Sequence, residues 1–171
     1  MKPLEIQSVI ETPSLRLRPP HLNDAGRLAK LLNDFEVARM TTSIPHPYGI
    51  EDAERFVCDA TPETFVVEHM DHGPIGTVGF SEGEGRRAEL GYWIGKPYWG
   101  SGYATEAARG AMGWAKSVWN RRHVAARHFV DNPASGEVLC KSGFLYTGQV
   151  TPSISKARNQ IVPSRWMVWL A

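Results

Sequence analysis

The chain has 171 residues, with 19 Lys plus Arg set against 18 Asp plus Glu. That length suits one domain with a real core, residues 1–171, and is too short for two ordinary ones. The near-neutral balance supplies no field for gripping nucleic acid or an acidic membrane.

The opening run MKPLEIQSVIETP has no apolar stretch of signal-peptide length, and nowhere does the chain reach the roughly 18 continuous apolar residues of a membrane span. A cytoplasmic location is expected. LRLR (15–18) alternates as a short half-buried strand and is stopped by two prolines. In DAGRLAKLLNDFEVARM, residues Leu28, Leu31, Leu32 and Phe35 recur at helical spacing behind the capping candidates Asn23 and Asp24, which predicts one amphipathic helix. A proline-rich loop follows, then a second short helix opened by Glu51 and Asp52 and carrying Phe56 and Val57. Cys58, at its end, and the distant Cys140 lack metal-type spacing and are read as buried thiols of a reducing compartment.

TFVVEHM, PIGTVGFSEG and RAELGYWIG are strand-like runs joined by the turns MDHGP and GEGR, an antiparallel meander. After YWGSG the chain turns helical from Tyr103 to Trp119, with Ala104, Ala107, Ala108, Ala111 and Ala115 small enough for close packing on a sheet. HVAARHFV reads as a strand, NPAS caps a further helix, and FLYTGQV and VPSRWMVWLA are closing strands around a loop, TPSISKARNQ. The order is α+β, with one right-handed crossover from the fourth strand through the long helix to a parallel fifth.

Gly100 and Gly102 sit at that crossover. They either permit a tight strand-to-helix turn or let backbone N–H groups close on an anion, and the location outside the strand ends favours the second use. No Gly-Lys-Ser/Thr follows, so the nucleotide-binding loop of that type is excluded.

The run ELGYWIGKPYWGSGYATEAARGAMGWA, followed by DNPASGEVLCKSGF, resembles the GCN5-related N-acetyltransferases (GNAT), in particular the RimJ/RimL-like branch that acetylates protein N-terminal amines and small amines. The resemblance implies a mixed, mostly antiparallel sheet splayed between its fourth and fifth strands, with helices on both faces. It implies that acetyl-CoA is the donor, its pyrophosphate held at Gly100, Ser101, Gly102, Tyr103, Ala104 and Thr105, and its pantetheine arm along the backbone of Tyr92, Trp93 and Ile94. The family's Gln/Arg-x-x-Gly-x-Gly/Ala pattern, read with Gly100 as its first glycine, begins on Pro97, a departure. Asn132 and Ser135 serve as helix cap on one reading and as cofactor contacts on the other. The thiolate-protonating tyrosine of many members is replaced by Leu139, which leaves Ser135 as the candidate acid.

Transfer to an amine also calls for a base and an oxyanion donor. Glu89 matches the family's glutamate base, against the plainer reading of an Arg-paired strand carboxylate. His128 competes with it, against a structural histidine. An N–H near Trp93 or Ile94 is expected at the oxyanion. The acceptor, a protein N-terminus or a small amine, is expected to meet Met40, His46 and Tyr48 and the loop bearing Lys156 and Arg158. No metal is expected, since His69 and His72 share a turn and the other histidines are scattered. Monomer and homodimer both stay open, with Trp119 and Trp169 as core or interface. A non-catalytic acyl-CoA sensor of the same fold is the alternative function.

Overall fold

The computed structural model describes residues 8–83, 85 and 87–171, so the start of the opening run and part of the GEGR turn lie outside the described residues. Eight strands form one sheet in the order β1-β2-β3-β4-β5-β6-β8-β7. They are β1 (Ile10–Glu11), β2 (Leu15–Arg18), β3 (Thr64–His69), β4 (Gly73–Glu82), β5 (Ala88–Ile94), β6 (His123–Phe129), β7 (Leu145–Ser155) and β8 (Gln160–Leu170). Helices α1 (Ala25–Leu32), α2 (Phe35–Ala38) and α3 (Ile50–Cys58) precede β3, α4 (Tyr103–Ser117) links β5 to β6, and α5 (Pro133–Lys141) follows β6. All neighbours pair antiparallel except β5 and β6, which run parallel through the α4 crossover.

Alternation along the strands builds two cores, one on each face. Leu15, Leu17, Phe65, Val67, Leu90, Val124 and Ala126 meet α4, whose Ala107, Ala108, Ala111 and Ala115 are fully buried and let the helix lie close to the sheet. On the other face Val66 and Trp93 meet Leu28, Leu31 and Leu32 of α1 and Ala53 of α3. Trp119 and Trp169, open between core and interface in the sequence, pack against the α4 core.

The structure departs from the sequence reading in four places. The expected single helix through DAGRLAKLLNDFEVARM breaks at Asn33, and Asp34 caps a separate α2 by accepting from Glu36 N at 2.9 Å, so Phe35 leaves the apolar stripe and is exposed. A two-residue strand, β1, precedes the LRLR strand. The TPSISKARNQ loop is mostly ladder: Thr151 to Ser155 pair with Gln160 to Ser164, leaving Lys156 to Asn159 as the turn. Pro152 lies on the edge strand β7 opposite Pro163, where a missing donor is tolerated. Cys58, at the end of α3, and Cys140 are exposed rather than buried; in α5 Gly136 and Leu139 turn inward, so Cys140 faces out.

One ion pair anchors the first helix. Arg18 grips Asp24 with two 2.8 Å hydrogen bonds and Glu68 at 2.9 Å, while Asp24 also accepts from His21 N at 2.8 Å. Burial alone would raise the Asp24 carboxyl, but the Arg18 and His21 donors outweigh it and hold the carboxyl below its usual value. A folded pKa below the unfolded one gives stability that is complete above the ordinary aspartate range near ~4 and is lost as pH falls through the folded value. Asp24→Asn leaves Arg18 half-paired and should cost about 3 kcal/mol at pH 7. Urea unfolding across pH should show the wild type converging on the variant below about pH 4.

Candidate active site

Strands β5 and β6 meet at a single bridge, Glu89 with Ala125, and diverge beyond it. Gly95 N donates to Ile75 O at 2.8 Å, and the β4–β5 register runs without a shift, so alternation turns the amides of Glu89, Gly91 and Trp93 toward β4. Those of Leu90, Tyr92 and Ile94 face the gap. Trp93 is therefore not a backbone donor to the gap, which corrects its expected place beside pantetheine and at the oxyanion. The Ile94 carbonyl is already engaged by Trp99 Nε1 at 2.6 Å. Tyr92 N–H, Tyr92 C=O and Ile94 N–H remain.

The gap leads to the start of α4. Gly100 and Gly102 have φ of +77° and +81°, left-handed values that glycine adopts at no steric cost. Gly102 is the N-cap, and the first intrahelical bond is Glu106 N to Gly102 O at 3.0 Å, so the amides of Tyr103, Ala104 and Thr105 have no intrahelical acceptor. They point, with the helix dipole behind them, at a cavity of about 520 Å³ that Gly100, Gly102, Tyr103, Ala104 and Thr105 line from one side and Asn132 and Ser135 from the other. Ser101 stands outside this lining and is exposed.

The helix start also shifts how the family's pattern lies on the chain. With Gly-x-Gly/Ala placed on Gly102, Tyr103 and Ala104, its first position is Trp99 and not Pro97. The Trp99 indole is turned back on Ile94, so either placement leaves the cradle to backbone alone. Glu106, an acid in the first turn, does not oppose an anion directly, because it accepts from Thr12 Oγ1 at 2.6 Å and Ser14 N at 2.7 Å. Burial pushes its carboxyl up, but these donors prevail and keep it below its usual value.

Across the gap, Asn132 caps α5 by accepting from Ser135 N at 3.3 Å. Ser135 Oγ lies 2.8 Å from the Tyr92 hydroxyl, which also reaches Ser135 O at 3.1 Å. Burial pushes the Tyr92 phenol well above its ordinary value, against the opposing pull of Ser135, so it stays protonated at neutral pH. Leu139 is in the core, consistent with a helix that offers no tyrosine here. The sequence reading took only the backbone of Tyr92. Strand alternation places its ring on the α5 side, and a buried tyrosine hydroxyl needs a partner; those two facts together point to Ser135.

A second cavity, about 330 Å³, lies on the α1 face and shares Met40, Thr41, Tyr92, Trp93 and Ser135 with the first. Its floor is hollow at Gly91, where a Cβ would meet nothing within 4 Å, while Gly79 opposite it lies close against Glu63 O. Glu89 lies on this floor, paired with Arg127 at 2.9 Å, and Arg127 stacks 4.9 Å over Trp166. Tyr48 and Met40 are in the wall, and burial followed by Asp52 pushes the Tyr48 phenol up to about 12. His46 is brought to neither cavity; its ring packs 5.3 Å from Phe35 on the surface. His128 borders the cavity with both ring nitrogens engaged: Nδ1 donates to Phe129 O at 2.8 Å, so Nε2 accepts from Tyr146 at 3.0 Å.

The β7–β8 turn reaches the same rim. Arg158 donates to Arg39 O at 2.9 Å and to both oxygens of Asp131 at 2.5 and 3.1 Å, and Lys156 N donates to Thr42 O at 3.1 Å. The expected basic cluster is thus a clasp, in which the Arg158 guanidinium holds the Asp131 carboxyl below its usual value.

A parallel strand pair opened from one bridge, with a glycine-capped helix at its mouth, forms a cleft whose unpaired backbone donors suit an extended, phosphate-bearing ligand. The chain matches the acetyltransferase (GNAT) domain over residues 14–145 and belongs to that family; it is an acetyl-CoA-dependent acetyltransferase. It is 30% identical over 156 residues to the uncharacterized N-acetyltransferase YoaA of Bacillus subtilis (strain 168), covering 82% of this chain and 84% of that one. Its fold is similar to that of a GNAT-family acetyltransferase from Bacillus anthracis, at TM-score 0.84, 20% identity and coverage of 95% and 98%. It is also similar to RimL, the ribosomal L7/L12 alpha-N-protein acetyltransferase solved in complex with coenzyme A, at TM-score 0.81, 15% identity and coverage of 95% and 98%.

Proposed function

We propose that residues 1–171 act as one N-acetyltransferase domain that moves the acetyl group of acetyl-CoA directly to a primary amine within a ternary complex. The observation that carries this reading is the pair of cavities meeting at Tyr92, Trp93 and Ser135, one ending on free helix amides and the other on the Glu89–Arg127 floor. The donor fits the first cavity: the amides of Tyr103 to Thr105 take the pyrophosphate, and the unpaired Tyr92 N–H and C=O take the pantetheine as an added strand.

The acceptor enters from the α1 side. Its nitrogen forms the new N–C bond as the C–S bond breaks, with the oxyanion met by the Ile94 N–H. The amine's proton must reach sulfur or a base. Ser135 Oγ, oriented by the Tyr92 hydroxyl, passes a proton to the leaving thiolate while taking one from the nitrogen, so neither hydroxyl ends ionised. Glu89 is five residues from Ile94, roughly 17 Å along the strand, so it serves as base through cavity water rather than by contact. His128 is assigned a structural role, because its ring nitrogens are engaged by Phe129 O and the Tyr146 hydroxyl.

Acetyl-CoA should raise the melting temperature, and thiol release with a panel of amines should follow. A shift without thiol release from any amine would favour the non-catalytic sensor, and no shift at large excess would sink the donor site. Glu89→Gln should lower kcat/KM by about 100-fold at pH 7, with the loss shrinking as pH rises and the free amine becomes abundant. An unchanged pH–rate profile would remove Glu89 from the reaction while leaving the donor site intact.

A further inference from the structure

The acceptor cavity contains two polar atoms that, among the described residues, are buried without a hydrogen-bond partner: Ser164 Oγ and Arg127 Nε. Ser164 is 1% exposed. Arg127 Nε lies 2.9 Å from Glu89, close enough to pair in charge but too far off axis for a hydrogen bond. Unsatisfied buried groups are costly, and they cluster here on one floor.

Strand register explains why they converge. Phe129 lies opposite Ser164, and Arg127 lies opposite Trp166, so Arg127 and Ser164 project from the same face of the β6–β8 pair. Arg127 is fixed by Trp166 beneath it and by its Nη1 donating to Ser153 Oγ at 3.2 Å. A guanidinium has five N–H donors, and these contacts leave it able to grip an acid. Glu89 is on the opposite side of Arg127 from Ser164, since β6 lies between β5 and β8.

Resting on the amine acetyltransferase reading above, we propose that the acceptor is a small amino acid, a primary amine whose own carboxylate binds Arg127 and Ser164. Its carboxylate then faces Arg127, and its amine points along the floor toward Tyr92 and Ser135, where the two cavities meet, with Glu89 reaching it through water. Leu28, Leu32 and Phe56 in the wall take an apolar side chain. At about 330 Å³ the cavity is at the small end of ligand sites, which favours a free amino acid over a longer chain.

Binding of N-acetyl-leucine and N-acetyl-leucinamide by calorimetry in the presence of coenzyme A tests this without needing turnover. The acid should bind at least about 10-fold more tightly than the amide, and Arg127→Gln should bring that ratio near one. Should Arg127→Gln fail to melt cooperatively, Ser164→Ala reads the same ratio and should lower it about fivefold. Equal binding of acid and amide to the wild type, or a ratio untouched in the folded variants, overturns the proposal. Preferred acetylation of a tetrapeptide N-terminus over leucine also overturns it. Loss of the acetyl-CoA melting shift would instead mark failure of the donor reading, since Arg127 does not line that cavity.

Discussion

Gly102→Asp should abolish acetyl-CoA binding while leaving the fold intact. Gly102 is the N-cap of α4 at φ +81°, and a Cβ there meets nothing within 4 Å, so the substitution carries strain but no clash. The left-handed backbone costs a non-glycine residue about 1–2 kcal/mol, partly offset because aspartate at an N-cap favours the helix. Its charge is the decisive change. A carboxylate roughly 5 Å from a phosphate, at an effective dielectric near ~20, costs about 3 kcal/mol, on the order of 100-fold in affinity. At 100 times Kd the wild type gains about 2.7 kcal/mol, a shift of roughly 5–10 °C, whereas a variant weakened 100-fold gains only about 0.4 kcal/mol. Gly102→Asn is the matching control, equal in size, tolerant of positive φ and neutral. If Asn and Asp lose the shift equally, strain and not phosphate charge governs the site; if Asp binds normally, the cradle is elsewhere.

Much of this architecture was legible because the signals were local and strong. Small residues from Ala104 to Ala115 marked the central helix, and the alternation in TFVVEHM and ELGYWIG marked the meander. The two glycines marked the turn whose positive φ values the structure shows. The failures came from a local cap and from pairing between distant residues. The TPSISKARNQ segment read as a loop until it paired with residues 160–164, and Asp34 looked like part of a helix until it capped the next one. Arg158 looked like part of a basic cluster on the acceptor loop until Asp131 met it across 27 residues. In the site, the missing piece was direction. Trp93 and Ile94 are adjacent in sequence, yet the ladder turns one amide to β4 and the other to the gap. The Tyr92 hydroxyl, 43 residues from Ser135, could be paired only once β5 and α5 were set side by side.

That pair supports the second large effect. Ser135→Ala should lower kcat by about 100-fold with acetyl-CoA affinity nearly unchanged, because the variant loses a proton path used in the reaction and keeps the helix amides that hold the donor. Asn132 still caps α5 through Ser135 N, a backbone contact that alanine preserves, so the loss is not one of folding. Tyr92→Phe should fall between wild type and Ser135→Ala. Burial raises the Tyr92 phenol, so it does not surrender its proton; it orients the Ser135 hydroxyl, and its removal leaves that hydroxyl free to rotate. The order of effects distinguishes shuttle from orienter. If Tyr92→Phe is as slow as Ser135→Ala, the two act as one unit, which the double variant would show by being no slower than either single one. If Ser135→Ala turns over at the wild-type rate, the thiolate takes its proton from water, and the Tyr92–Ser135 contact serves only to hold α5 against β5. Rates with an acetyl thioester of lower leaving-group pKa add a further check: a better leaving group needs less protonation, so the gap between Ser135→Ala and wild type should narrow.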